Sequence, residues 1–179
     1  DPLEELARGH APRAALADAM VRNARRLQRL IDQLLDMERI QSGTFPLRPR
    51  HLDLMHLVQE SLVAFTSVAQ REGITLDADL PETGMPMIGD AEQMMRLLGN
   101  LLSNALKFCP SGGHVRLSLH AGTESIRLRI DDSGPGVPPD WRERIFDRFS
   151  QMGSAATRSR EGTGLGLALS REIAQLHGG

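Results

Sequence analysis

The chain has 179 residues, 40% apolar and 25% charged, and its 21 basic against 23 acidic side chains leave a formal net charge of -2. So small a charge removes the electrostatic drive toward nucleic acid or anionic membrane, and no apolar run reaches the ~20 residues that a membrane span needs. Cys109 is the single cysteine and cannot close an internal disulfide, and no charged-then-apolar leader stands at the N-terminus. A reducing, cytoplasmic setting follows, with any membrane anchor outside this chain. Only 3% of residues are aromatic and none is tyrosine, so the core must be aliphatic. The length suits one domain of ~100 to 150 residues with an appendage.

The appendage comes first. Residues 1–9 read as the end of a helix closed by Gly9, and Pro12 suits the first turn of a second helix, which predicts a helical hairpin. Leu16, Met20, Asn23, Leu27, Leu30, Leu34 and Met37 then recur at alternating spacings of 4 and 3, widened by Ile31 and Leu35. That stripe predicts one amphipathic helix over 13–41, packed either on its own domain or, given its length, against another chain. Ser42, Gly43, Pro46 and Pro49 end it.

From Phe45 the period shortens. Phe45, Leu47 and His51 alternate as in a strand, and Leu54, Leu57, Val58, Leu62, Phe65 and Val68 return to helical spacing. Ile74 to Leu80 alternates again, Met85 to Ile88 forms a short apolar segment, and Asp90 is placed to cap a helix running to about Phe108. Val115 to Leu119 and Ile126 to Ile130 alternate on either side of a loop short enough for a hairpin. The order is that of an α+β fold rather than a βαβ series. A last apolar helix precedes the terminal Gly178 and Gly179.

Three segments concentrate polar chemistry. On the helix begun by Asp90, Asn100, Asn104 and Lys107 share one face at i, i+4 and i+7, so two amide oxygens able to ligate Mg²⁺ and one ammonium able to meet phosphate point the same way. Lys107 is the single lysine of the chain. Taken alone, the trio is also what a solvated face looks like. Asp131, Asp132, Ser133, Gly134, Pro135 and Gly136 follow a strand, where glycines let backbone approach a ligand and Asp132 could accept from an exocyclic amine. A plain turn would explain them equally well. Gly162, Thr163, Gly164, Leu165 and Gly166 run into the last helix and leave its first N–H groups open to an anion. They lack the Lys-Ser/Thr pair of a P-loop and follow no strand.

In this order, NLLSNALKF, DDSGPGVP, RIFDRFSQ and GTGLGLALS resemble the N, G1, F and G2 boxes of sensor histidine kinases of two-component systems, in the superfamily that includes gyrase, the heat-shock 90 chaperones and MutL. The resemblance spans nearly the whole chain. It implies an α+β, two-layer α/β sandwich of the Bergerat type over 44–179, preceded over 1–43 by part of a dimerisation and histidine-phosphotransfer hairpin. It further implies ATP and Mg²⁺ as cofactors, a homodimer through the 13–41 helix, and a response-regulator receiver domain as partner.

Carried over position by position, Asn104 would ligate Mg²⁺, Asn100 would sit beside the phosphates, Lys107 would contact phosphate, and Phe108 would lie near the nucleoside. The catalytic roles would fall to Asn100 and Lys107. Asp132 would bind the adenine amino group in a pocket shaped by Gly134 and Gly136. Gly162, Thr163, Gly164, Leu165 and Gly166 would hinge an ATP lid over roughly 138–161, anchored by Phe146 and Phe149, with Arg158 or Arg160 reaching phosphate.

Two departures accompany the resemblance. None of His10, His51, His56, His114, His120 and His177 has the acidic, Arg and Pro context of the family's phosphoacceptor, which is expected before Asp1. The closing strands that follow the HGG equivalent in similar proteins are also expected beyond Gly179. A hydrolytic ATPase of the same superfamily and a degenerate nucleotide-sensing dimerisation module are the other readings. Hydrolytic members carry a general-base Glu where this chain has Asn100, and an amide cannot accept a proton at neutral pH.

Overall fold

A computed structural model describes residues 2–151 and 163–179, with the side chains of 2–15, 18, 22 and 26 excepted. The chain divides into two compact units, Asp1–Phe45 and Pro46–Gly179.

The first unit is one helix, α1 (Pro2–Gln41). The hairpin expected at Gly9 and Pro12 is absent: the helix runs through both. Alanines at positions 7, 11, 14, 15, 17 and 19 have the highest helix propensity and carry the backbone across the two breakers. Its predicted seam stands largely in solvent, with Leu16 63%, Met20 65%, Leu27 59% and Leu34 43% exposed. Among the described residues no helix is long and apolar enough to cross a membrane.

The second unit contains β1 (Arg50–Asp53), α2 (Leu54–Glu72), β2 (Thr75–Asp79), β3 (Pro86–Gly89), α3 (Ala91–Phe108), β4 (His114–Ala121), β5 (Ile126–Asp132), two 3₁₀ turns (Pro139–Trp141 and Arg144–Phe146) and α4 (Gly166–Leu176). The strand expected from Phe45 begins only at Arg50. Pro46 and Pro49 remove two backbone donors that a ladder would need there.

β1 and β3 pair antiparallel, while β2, β4 and β5 form a separate three-stranded sheet with β4 in the centre. β2 runs parallel to β4, joined through β3 and α3, and β4 runs antiparallel to β5. The β4–β5 hairpin is closed by the Gly122 N–H donating to the Ser125 carbonyl at 2.7 Å.

The fold is α+β in two layers. Leu76 of β2, Val115, Leu117 and Leu119 of β4, and Leu128 and Ile130 of β5 face a helical layer supplied by Leu54, Leu57 and Val58 of α2 and by Met94, Leu98, Leu102 and Leu106 of α3. Each fully buried aliphatic side chain contributes roughly 1.5–3 kcal/mol, so this seam is the main stabilising element. The other sheet face is charged. Arg116 grips Asp77 across the β2–β4 ladder at 3.0 and 2.7 Å. That hydrogen-bonded guanidinium holds the Asp77 carboxyl below the usual carboxylate range, so the pair is intact at neutral pH and is lost as acid protonates Asp77.

Two aspartates join the pieces. Asp53 caps α2 through the Met55 N–H at 3.0 Å and takes the Met85 N–H on the same oxygen at 2.8 Å, fixing the approach to β3. Asp90 caps α3 as expected. A cavity of ≈ 1530 Å³ opens between β3, β5, α3 and α4, floored by Met87, Met94, Leu128 and Ala174 and touched by Phe146.

Candidate functional site

The site is organised along α3. Asp90 accepts from the Glu92 and Gln93 N–H groups at 3.0 and 3.2 Å, starting the helix at a defined residue, and Met94, Leu97, Leu98, Leu102, Ala105 and Leu106 turn its apolar face inward. Asn100, Asn104 and Lys107 therefore line the face turned away from that core, half-buried.

Asn100 meets the glycine-rich start of α4. Its Nδ2 donates to the Gly166 carbonyl at 3.3 Å. A carbonyl only accepts, so the amide presents its NH₂ to the Gly166 carbonyl and leaves Oδ1 out of that bond. A Cβ placed on Gly166 would lie 3.7 Å from Asn100 Cγ, so the two segments pack directly. Leu165 begins the helix turn with its N–H bonded to Thr163 Oγ1 at 3.2 Å.

The far end of α3 meets the loop after β5. A Cβ on Gly134 would lie 2.5 Å from Asp132 Oδ1 and 3.1 Å from the Phe108 carbonyl oxygen, so only glycine admits this approach. Asp132 Oδ1 accepts from the Gly134 N–H at 2.8 Å, an Asx turn on an exposed carboxylate. Gly136 has φ 70 and open space around it. Lys107 holds its Nζ 4.8 Å from the centroid of the Phe108 ring, a cation–π contact at the same helix end. Asn104 lies one helical turn from each of these two junctions, between them.

Phe146 and Phe149 occupy different places. Phe149 sits at φ 58, and a Cβ on Gly164 would come within 2.8 Å of its Cα, so the F-box backbone packs on the glycine turn while the ring stays exposed. Phe146 lines the large cavity and lies in a turn packed on α4. Gly162, Arg158, Arg160 and the rest of 152–162 lie outside the described residues.

Sequence reading missed two anchors. Ser133 accepts from the His114 N–H on its Oγ at 2.9 Å and returns its own N–H to the His114 carbonyl at 3.0 Å, pinning the loop that carries Asp132 to the start of β4. His177 accepts the Asp90 N–H on Nε2 at 3.0 Å. Its side chain stands 87 residues from its partner, and no local pattern signals such a pair.

Chemically, the Asn100 amide and the N-terminus of α4 stand at one end of a polar row on α3, Asn104 lies in its middle, and the Lys107 ammonium and the Asp132 carboxylate on its glycine loop stand at the other end. Anionic and amine-bearing parts of one ligand could be read together by such a set.

Residues 89–179 match the family described as histidine kinase-, DNA gyrase B-, and HSP90-like ATPase. The chain is 38% identical over 164 residues to the sensor histidine kinase TmoS of Ectopseudomonas mendocina, an overlap covering 90% of this chain and 17% of that protein. The solved mycobacterial sensor histidine kinase MprB superposes with a TM-score of 0.61 at 32% identity, covering 73% of this chain and 81% of that one. Full-length ShkA, solved in complex with AMPPNP, superposes with a TM-score of 0.73 at 27% identity over 85% of this chain and 31% of its own. The four motifs, the mixed sheet under α2 and α3, and these likenesses agree: the chain belongs to the histidine kinase-, DNA gyrase B- and HSP90-like ATPase family, as a catalytic ATP-binding domain of the sensor histidine kinase kind.

Proposed function

We propose that this chain binds MgATP along α3 and passes the γ-phosphoryl group to a histidine of a dimerisation hairpin, from which it moves to an aspartate of a response-regulator receiver domain. The observation that carries the reading is the junction of Asn100 with Gly166, which seats the open N-terminus of α4 beside the amide row of α3. AMPPNP bound to ShkA makes the same ligand class reasonable here.

In this reading Lys107 and the first N–H groups of α4 hold the phosphates, and Asn104 gives one neutral oxygen to the metal. Among the described residues no group of three or more His, Cys, Asp or Glu could hold a metal ion, so phosphate oxygens would complete the shell, which fits a metal that arrives with the nucleotide. Bound there, Mg²⁺ supplies neutralisation of phosphate charge. Asp132 spends one lobe of its carboxylate on Gly134 and offers the remainder to the adenine amino group.

The transfer breaks the bond between the γ-phosphorus and the bridging oxygen, forms a bond from phosphorus to the acceptor imidazole nitrogen, and releases ADP. Asn100 cannot take a proton from water, so the site positions a nucleotide without activating water to attack it, which favours transfer over hydrolysis. The exposed seam of α1 is assigned to a second copy of this chain, giving a homodimer, and α1 with 42–43 to the phosphotransfer unit. Cytoplasmic placement of the site is part of the same proposal.

Titration calorimetry tests nucleotide recognition. Asn104→Ala should bind ATP with no gain from Mg²⁺, whereas an unchanged Mg²⁺ dependence would move the metal elsewhere. Asp132→Asn should lose the preference for adenine over guanine nucleotides, because a carboxylate accepts from an amine and repels a carbonyl oxygen; equal discrimination by the variant would remove Asp132 from base recognition.

Transfer is tested in trans. Mixing this chain and radiolabelled ATP with a helical hairpin of a sensor histidine kinase, itself lacking a catalytic domain, should place an acid-labile, base-stable label on the hairpin. Phosphate released to water faster than label appears on any protein would favour the hydrolytic reading.

Assembly is tested by sedimentation. Leu27→Asp with Leu34→Asp would bury charge in the seam and should convert a dimer into monomers, whereas an unaltered dimer would place the interface off α1.

A further inference from the structure

His177 carries no part of the chemistry proposed above, yet its imidazole is engaged at both nitrogens. Nδ1 lies 2.7 Å from the Ile173 carbonyl and Nε2 lies 3.0 Å from the Asp90 N–H. The first partner only accepts and the second only donates, so Nδ1 bears the proton and Nε2 is bare: the neutral ring bridges the end of α4 to the start of α3. The ring edge rests on Gly89, where a Cβ would come within 3.1 Å of Cδ2.

Asp90 is itself immobilised. It is 6% exposed, and its carboxylate accepts from Glu92 and Gln93 on one oxygen and from the Arg48 N–H at 2.9 Å on the other. The N–H that His177 accepts is thus aimed by three further hydrogen bonds.

The second tie between these helices is Asn100 to Gly166. Asp90 and Asn100 are ten residues apart and Gly166 and His177 eleven, roughly 15 and 16.5 Å of helical rise. Spans matched to within one residue make the two ties rungs of one antiparallel pair, and α3 and α4 pack against each other. An axial slip of α4 that lengthens the His177 rung displaces Gly166 from Asn100 by the same amount.

We propose that His177 is a positioning residue of the nucleotide site: its bare Nε2, held by the Asp90 N–H, sets the axial register of α4 on α3 and so seats the phosphate-facing end of α4 against Asn100. The inference rests on the MgATP reading above.

Two variants separate acceptor from shape. His177→Phe keeps a ring against Gly89 and loses the acceptor, and His177→Gln loses the ring but can bring an amide oxygen to the place of Nε2. Fluorescent-nucleotide titrations with Mg²⁺, run well below each variant's melting temperature, should show about a tenfold weaker affinity for His177→Phe, the size of one lost hydrogen bond. His177→Gln should stay within about threefold of the unsubstituted chain.

Unchanged affinity in a folded His177→Phe variant, with only its melting temperature lowered, would make the residue structural and overturn the proposal. Equal losses in both variants would do the same, since the acceptor would then not be what matters. If His177→Phe does not fold, His177→Gln decides alone: near-normal affinity supports the acceptor role, and a tenfold loss contradicts it. No MgATP binding by the unsubstituted chain would overturn the nucleotide reading, and this proposal with it, whereas normal binding there with an indifferent His177→Phe overturns the positioning role alone.

Discussion

The buried carboxylate of Asp90 is the constraint on which the site depends. One side chain starts α3 through two backbone N–H groups, ties the segment before β1 through a third, and its own backbone N–H holds the end of α4 through His177. The Gln93 and Asp90 N–H groups belong to buried residues, and a buried donor left without an acceptor costs about 1–3 kcal/mol. Because the cap fixes the first residue of α3, it also fixes which face carries Asn100, Asn104 and Lys107, and where the helix ends against the Asp132 loop.

Around that axis the two glycine-bearing loops do different work. Gly134 yields space so that the loop after β5 can lie against the last carbonyl of α3, with Ser133 fastening it to β4. Gly164 takes up a positive φ where the Phe149 backbone crosses it, and Gly166 brings α4 onto Asn100. The outcome is a row of polar groups with a closed turn at each end. On the proposed reading such a row would align an extended ligand by position and charge, as suits chemistry in which orientation and electrostatics lower most of the barrier.

Much of this was legible in the sequence because it is written locally. The switch from period 2 to period 3.6 located α2, α3 and the β4–β5 hairpin, and Asp90 ahead of an apolar stripe announced the α3 cap. Where local signals competed, the reading failed. Gly9 and Pro12 look like a turn but sit in an alanine-rich stretch that stays helical, and the alternation at Phe45 and Leu47 looks like a strand but lies among prolines that cannot pair. What could not be read at all was the long-range wiring: His177 to Asp90, Ser133 to His114 and Asn100 to Gly166 each join residues far apart in the chain. The rows of charge on the outer sheet face, such as Asp77 and Arg116, follow from strand register and gave no motif.

The most direct measurement of the central claim is a map of backbone amide shifts in the ¹⁵N-labelled chain as AMPPNP is added with Mg²⁺. Binding along α3 predicts perturbations gathered on 100–108, 132–136 and 163–166, with little change at Arg116, Ser118 or Arg129 on the outer sheet face. Perturbations centred instead on the lining of the large cavity, at Met87, Leu128 and Ala174, or an absence of any response at saturating nucleotide, would contradict it.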